Sequence, residues 1–123
     1  EENYLSVKEV ATFFRILYNS SYLNRDSSEY ALGLLSKVTF DKWIRAWVPL
    51  NIWVAHKFWE RGYIDESGKN IRQLHDCGVV YYPGYPYLIC LVTKWDDFDT
   101  NATVLSTISK IVFEEISGVY PEK

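Results

Sequence analysis

The sequence predicts a single α+β unit: a three-stranded antiparallel sheet with a pair of helices before it and one helix after it. Apolar residues recur at helical spacing near both ends of the chain. Two continuously apolar runs flank a Pro-Gly-Tyr-Pro turn in its second half. Residues 38–53 have neither period. The 123 residues, 48% of them hydrophobic, suffice for one folded core and exclude disorder by composition.

The first helix opens at Ser6-Val7-Lys8-Glu9, a capping box in which hydroxyl and carboxylate each satisfy an orphan N–H. Val10, Phe13, Phe14 and Leu17 repeat along one stripe, and Asn19-Ser20-Ser21 closes the segment. A second helix starts near Asp26-Ser27-Ser28-Glu29 and runs through Tyr30, Ala31, Leu34 and Leu35 to about Lys37. Residues 1–40 thus form a helical subregion. Val48-Pro49 breaks any helix that follows, because proline lacks an N–H and restricts its predecessor.

Residues 50–120 hold the sheet and the last helix. Residues 53–58 predict a short strand, and the polar stretch 59–74, with Gly62, Gly68 and Asn70, predicts a loop. Residues 76–82 and 87–94 predict a hairpin around Pro83-Gly84-Tyr85-Pro86. Its runs (Val79, Val80, Tyr81; then Leu88 to Val92) suit strands covered on both faces. The last helix spans about 100–117, with Leu105, Ile108, Ile111, Val112 and Ile116 inward and Gly118 as a C′ stop.

Charge narrows the function classes. The net charge of −3 comes from 16 acidic and 13 basic residues without a dense basic patch, so no nucleic-acid partner is expected. No apolar run approaches the roughly 20 residues of a membrane span. The start Glu1-Glu2-Asn3, without Met or a charged leader, reads as a mature domain or a piece of a longer chain. His56, His75 and Cys77 lack further ligands in range, so no metal is expected. No glycine-rich loop is present and no cofactor is implied. Cys77 and Cys90 are cross-strand neighbours if the turn is tight; buried free thiols are the expected state. The sequons at Asn19 and Asn101 are short enough to arise by chance.

The segment from Val54 to Gly62 is the most informative. A lysine near the end of an apolar strand is costly unless its ammonium reaches water or an anion. Lys57 therefore either snorkels to solvent or faces a cleft and holds a substrate carboxylate.

Here the sequence resembles a family. The segment around Lys57 is similar to the Lys-Thr/Ser-Gly strand of the serine β-lactamase and penicillin-binding-protein superfamily, in its class A-like branch. The order of elements also resembles the C-terminal half of those enzymes: helix pair, Pro-containing loop, His-Lys strand, Glu-Arg-Gly loop, apolar hairpin, terminal helix. Asp76-Cys77-Gly78-Val79-Val80-Tyr81, Pro83-Gly84 and Tyr87-Leu88-Ile89-Cys90 resemble the paired strands of that fold.

The resemblance implies roles by position. Lys57 matches the motif lysine, which supports the nucleophile's proton network and the substrate carboxylate. Phe58 stands where the family has Thr or Ser, and Trp59 where it has Gly. Glu60 stands where a backbone N–H donates to the oxyanion hole. Arg61-Gly62 resembles the Arg-Gly that closes the region. His56, Phe58, Trp59 and Arg61 are the implied substrate contacts, and Lys57 and the Glu60 N–H the implied catalytic groups. No serine here is followed by Lys three residues later, and no Ser-x-Asn occurs. Tyr22-Leu23-Asn24 matches Tyr-x-Asn by letters only. The resemblance thus implies the C-terminal portion of a bacterial serine hydrolase of the kind associated with antibiotic resistance. Its partners would be the N-terminal half of the same parent and a β-lactam or cell-wall peptide, and its location extracytoplasmic. The 123 residues alone would be inactive. The alternative is a non-catalytic module of the same fold that binds cell-wall peptide or protein.

Trp43, Trp47, Trp59 and Trp95 fall where a turn or glycine is expected. Aromatic anchoring is one explanation; UGA codons read as glycine in the source is another, which UGG codons in the gene would end. As written, Trp59 would crowd the carboxylate-binding strand.

Overall fold

A computed structural model describes residues 5–122; the Glu1-Glu2-Asn3 start lies outside them. The order is α1 (Val7–Asn19), α2 (Arg25–Ser36), a 3-10 helix (Trp43–Trp47), β1 (Val54–Ile64), β2 (Asn70–Val80), β3 (Tyr87–Trp95) and α3 (Phe98–Val119). The expected helix pair, antiparallel three-stranded sheet and terminal helix are all present, with strand order β1-β2-β3.

Local chemistry sets the helix ends. The capping box forms: the Ser6 N–H donates to Glu9 Oε2 at 2.6 Å and the Glu9 N–H to Ser6 Oγ at 3.2 Å. Asn24, the last letter of the Tyr-x-Asn coincidence, is the N-cap of α2, its Oδ1 accepting the Ser27 N–H at 2.8 Å. Asp97 caps α3 through the Thr100 N–H, also at 2.8 Å. The end of α3 departs from expectation: Gly118 lies inside the helix, and Tyr120 takes the cap position. Without a left-handed C′ residue, the last turn closes on the Tyr120 N–H to Ile116 C=O bond at 2.8 Å.

Helices cover both faces of the sheet. Val10, Phe14 and Leu17 of α1 and Leu32 of α2 pack on Ala55, Cys77 and Val79. On the other face Ile44, Val48 and Ile52 pack on Val54, Val80 and Ile89, beside Val112 and Ile116 of α3. Trp43, Leu74 and Leu105 extend that second core. Each large side chain buried this way contributes about 1.5–3 kcal/mol.

The largest correction concerns residues 59–74. They form no open loop: β1 continues to Ile64 and pairs with β2 without interruption from Val54↔Val80 to Ile64↔Asn70. The turn is confined to residues 65–69. Asp65 Oδ1 accepts the N–H groups of Ser67 and Lys69, both at 2.9 Å, and Gly68 takes a φ of 82°. In β1 the half-buried positions are Trp59, Arg61 and Tyr63 and the exposed ones Glu60, Gly62 and Ile64, so residue polarity does not follow the alternation of the strand and no period of two shows in the sequence.

A second correction concerns the cysteines. Cys77 and Cys90 are paired as a disulfide, not free thiols. They sit directly opposite in the β2–β3 register, on the face covered by α1. The Asn101 sequon is occupied structurally: its buried Nδ2 donates to the Arg72 carbonyl at 3.1 Å.

Candidate functional site

The geometry starts from the register of β1. The Tyr81 N–H donates to the Trp53 carbonyl at 2.8 Å, so this pair, one step beyond Val54↔Val80, is hydrogen-bonded. Antiparallel pairing alternates, which makes Ala55/Val79, Lys57/Cys77 and Trp59/His75 hydrogen-bonded pairs as well. The narrow Cys77–Cys90 pair, Cα atoms 4.0 Å apart, agrees: it is a non-bonded pair toward β3, which leaves the Cys77 amide for β1. His56, Phe58 and Glu60 therefore turn their N–H groups away from β2. β1 is an outer strand, so those amides point off the sheet edge.

Side chains alternate the other way. Lys57 and Trp59 lie toward α1 and line an open groove of about 520 Å³ with Leu5, Val10, Phe13, Phe14 and Leu35. The walls are apolar, and among the described residues that line it Lys57 alone brings a charge. Its Nζ also lies 5.8 Å from the centroid of the Phe58 ring, which belongs to the opposite face. The lysine stem thus lines the groove while the ammonium sits at the sheet edge between the faces. This is a solvent-accessible cation beside a pocket, on the edge that presents the Glu60 N–H.

The other singled-out residues are split by the sheet. Arg61 shares the Lys57 face, near the distal end, its guanidinium 4.7 Å from the Tyr63 ring. Trp59 stacks on His75, ring centroids 4.5 Å apart. His56 and Phe58 are not brought to the groove. The His56 ring is 1% exposed on the α3 side, bonded to Asp76. Phe58 stacks on Phe40, centroids 3.9 Å apart, and meets Trp43 edge-on at 5.8 Å. Phe58 is thus held by aromatic packing on the face away from the groove.

Burial and charge set the titration around the site. Burial, with the Arg61 charge adding to it, holds His75 below the ordinary histidine value. Burial pushes the Asp76 carboxyl up, against the hydrogen bond from His56 that favours its charge. Asp76 was missed as a functional candidate. Its only sequence signal is a carboxylate inside a run otherwise fit for burial.

The four tryptophans singled out from the sequence occupy four different settings. Trp59 is in the interior of β1 and Trp95 ends β3, its ring 5.2 Å from Lys69 Nζ. Trp47 ends the 3-10 helix under Lys110, Nζ to centroid 4.7 Å. Only Trp43 takes a left-handed φ, 54°, and its indole is buried among Phe40, Phe58 and Phe98. No group of three or more metal-ligating side chains occurs among the described residues.

Residues 1–116 match the Beta-lactamase enzyme family. Solved structures share the fold. The beta-lactamase from Sphaerobacter thermophilus DSM 20745 superposes with a TM-score of 0.75 at 18% identity, covering 99% of this chain and 44% of that one. A representative of class A beta-lactamase from Bacteroides cellulosilyticus DSM 14838 gives 0.73 at 21% identity, covering 90% and 41%. The structure of PBP-A gives 0.72 at 16% identity, covering 90% and 39%. At these identities the likeness is one of fold. The chain spans about two fifths of the length of these solved proteins. No curated protein sequence matches the chain.

Proposed function

The chain belongs to the Beta-lactamase enzyme family, and from that membership we propose that it is the C-terminal portion of a serine hydrolase acting on a β-lactam or a D-alanyl-D-alanine-like amide. The nucleophilic serine comes from polypeptide outside these 123 residues. The observation that carries the reading is the β1 edge: a groove-lining lysine on the same outer strand whose Glu60 N–H points off the sheet.

The chemistry is acyl transfer. The serine oxygen bonds to the carbonyl carbon as its proton passes to a base, and the carbonyl oxygen becomes an oxyanion. The Glu60 N–H donates to that oxyanion. Collapse breaks the C–N bond, the proton goes to the leaving nitrogen, and an acyl-enzyme remains for water to cleave. Lys57 holds the substrate carboxylate and supports the proton network. Trp59 and Arg61 flank the bound substrate along the same face. His56 and Phe58 act on it only through the main chain they fix.

The partner is the N-terminal half of the parent. Phe13 is 55% exposed and Leu5 61%, and both line the groove that half would cover. The Cys77–Cys90 disulfide supports an extracytoplasmic location, where such bonds persist.

A second reading is favoured by Phe58 and Trp59. With the motif hydroxyl replaced by a stacked ring and the motif glycine by an indole, the parent would bind cell-wall peptide or protein without turnover. Incubating the full-length parent with nitrocefin and with a fluorescent penicillin separates the two. Turnover of nitrocefin supports the hydrolase, a stable penicilloyl adduct supports a peptidase or binding role, and the absence of both would overturn the serine-hydrolase reading in favour of the non-catalytic module.

A further inference from the structure

We propose that His56 and Asp76 are a positioning pair that pins the β1 edge against β2, and so sets the main chain that carries Lys57 and the Glu60 N–H. What the pinned edge is used for rests on the hydrolase reading; the pair itself does not.

An outer strand has one neighbour, so half its main-chain groups bind nothing in the sheet. Something else must hold it if the residues on it are to keep a fixed direction. At His56 three features converge. First, the Nδ1–H donates to Asp76 Oδ1 at 2.9 Å, with both side chains at 0–1% exposure. Second, the other Asp76 oxygen accepts the Ile44 N–H at 3.1 Å, and the Ile44 carbonyl accepts from Ser109 Oγ at 2.9 Å. One buried polar chain therefore ties β1 through β2 to the 3-10 helix and α3. Third, Gly78 stands opposite His56. A Cβ there would collide with the Ala55 carbonyl oxygen and come within 2.6 Å of His56 Cβ. The β1 main chain is thus pressed onto β2 one step before Lys57, at a place only glycine permits.

The tautomer follows. His56 Nε2 is buried, with no hydrogen-bond partner among the described residues. A proton there would leave a buried N–H unsatisfied, costlier than a bare ring nitrogen. The hydrogen bond thus places the proton on Nδ1, and the ring is wedged beside Phe40 and Phe58 at 6.3 Å from each. A hydrophobic pair of equal volume would fill the space as well. The polar pair adds direction: one hydrogen bond that forms in one register of β1.

The test uses the full-length protein. Long-range proton–nitrogen correlation should find His56 protonated on Nδ1 and bare on Nε2 at neutral pH; the reverse tautomer overturns the proposal and needs no variant. Hydrogen exchange of His56→Asn then reads positioning directly. The inward amides of Lys57 and Trp59 should exchange at least tenfold faster, with Ile89 and Leu91 on the β2–β3 side changing less than twofold. Uniform acceleration, the mark of ordinary destabilisation, or no change would overturn it. Penicillin acylation keeps the two ideas apart. A His56→Asn protein acylated at the wild-type rate removes the positioning role and leaves the hydrolase; a wild type that is never acylated removes the hydrolase while the exchange pattern still decides the pair.

Discussion

The indole of Trp59 lies flat on the imidazole of His75, with ring planes 17° from parallel. The two residues face each other across β1 and β2, so His75 backs the Trp59 ring that lines the groove. Burial and the Arg61 charge keep that imidazole neutral in the fold, below its ordinary value of 6.5. The unfolded chain therefore binds more protons in the window from 6.5 down to the depressed folded value, and stability falls as pH drops through it. Denaturant midpoints should be lower at pH 5 than at pH 7.5, and His75→Gln should flatten that difference. An unchanged slope in the variant would assign it to other groups.

Trp43 sets strain against packing. Its left-handed φ of 54° costs about 1–2 kcal/mol in a non-glycine residue. Removing a buried indole costs about 3–5 kcal/mol. Packing wins, so Trp43→Gly should destabilise by about 2–3 kcal/mol in urea unfolding. A variant more stable than the parent would show that glycine suits this position better, and would revive the recoded-codon explanation.

The Cys77–Cys90 bridge closes a short loop, 13 positions apart in sequence. Loop-closure entropy for that length is worth roughly 3 kcal/mol. Reduction by dithiothreitol should lower the thermal midpoint by several degrees. An unchanged midpoint under reducing conditions would mean that the hairpin, already in register, draws nothing from the bond.

Both outer strands of the sheet, β1 and β3, present unpaired main-chain groups among the described residues, and Phe13 and Leu5 leave the groove wall exposed. Such edges template association. Sedimentation of the isolated 123 residues at micromolar concentration should show association. A stable, soluble monomer would count against the fragment reading.

The fold was legible where local chemistry and burial agree. The Ser6/Glu9 box, the Val79–Tyr81 and Leu88–Val92 runs and the α3 stripe all carry their structure in the sequence. The distal hairpin was not, because Arg61 fills a half-buried position and Ile64 an exposed one, which hides the alternation of the strand. Nor could spacing decide the cysteines: pairing depended on the β2–β3 register, which the turn alone leaves open. At the site, Lys57 and Trp59 are found on one groove, as neighbours two apart on a strand must be. His56 and Phe58 go to the other face by the same alternation, which takes effect only once residues 53–64 are known to be strand throughout. Asp76 needed the three-dimensional structure, since its partners His56 and Ile44 lie 20 and 32 residues away.

The most direct test is the rate at which a fluorescent penicillin acylates the full-length protein, wild type against Lys57→Ala, with the labelled peptide identified by mass spectrometry. The account predicts label on a serine outside these 123 residues. It also predicts a rate about two orders of magnitude lower in the variant, as loss of charge-assisted contacts worth about 3 kcal/mol implies. Label on a residue within the chain, or equal rates for both proteins, would contradict it.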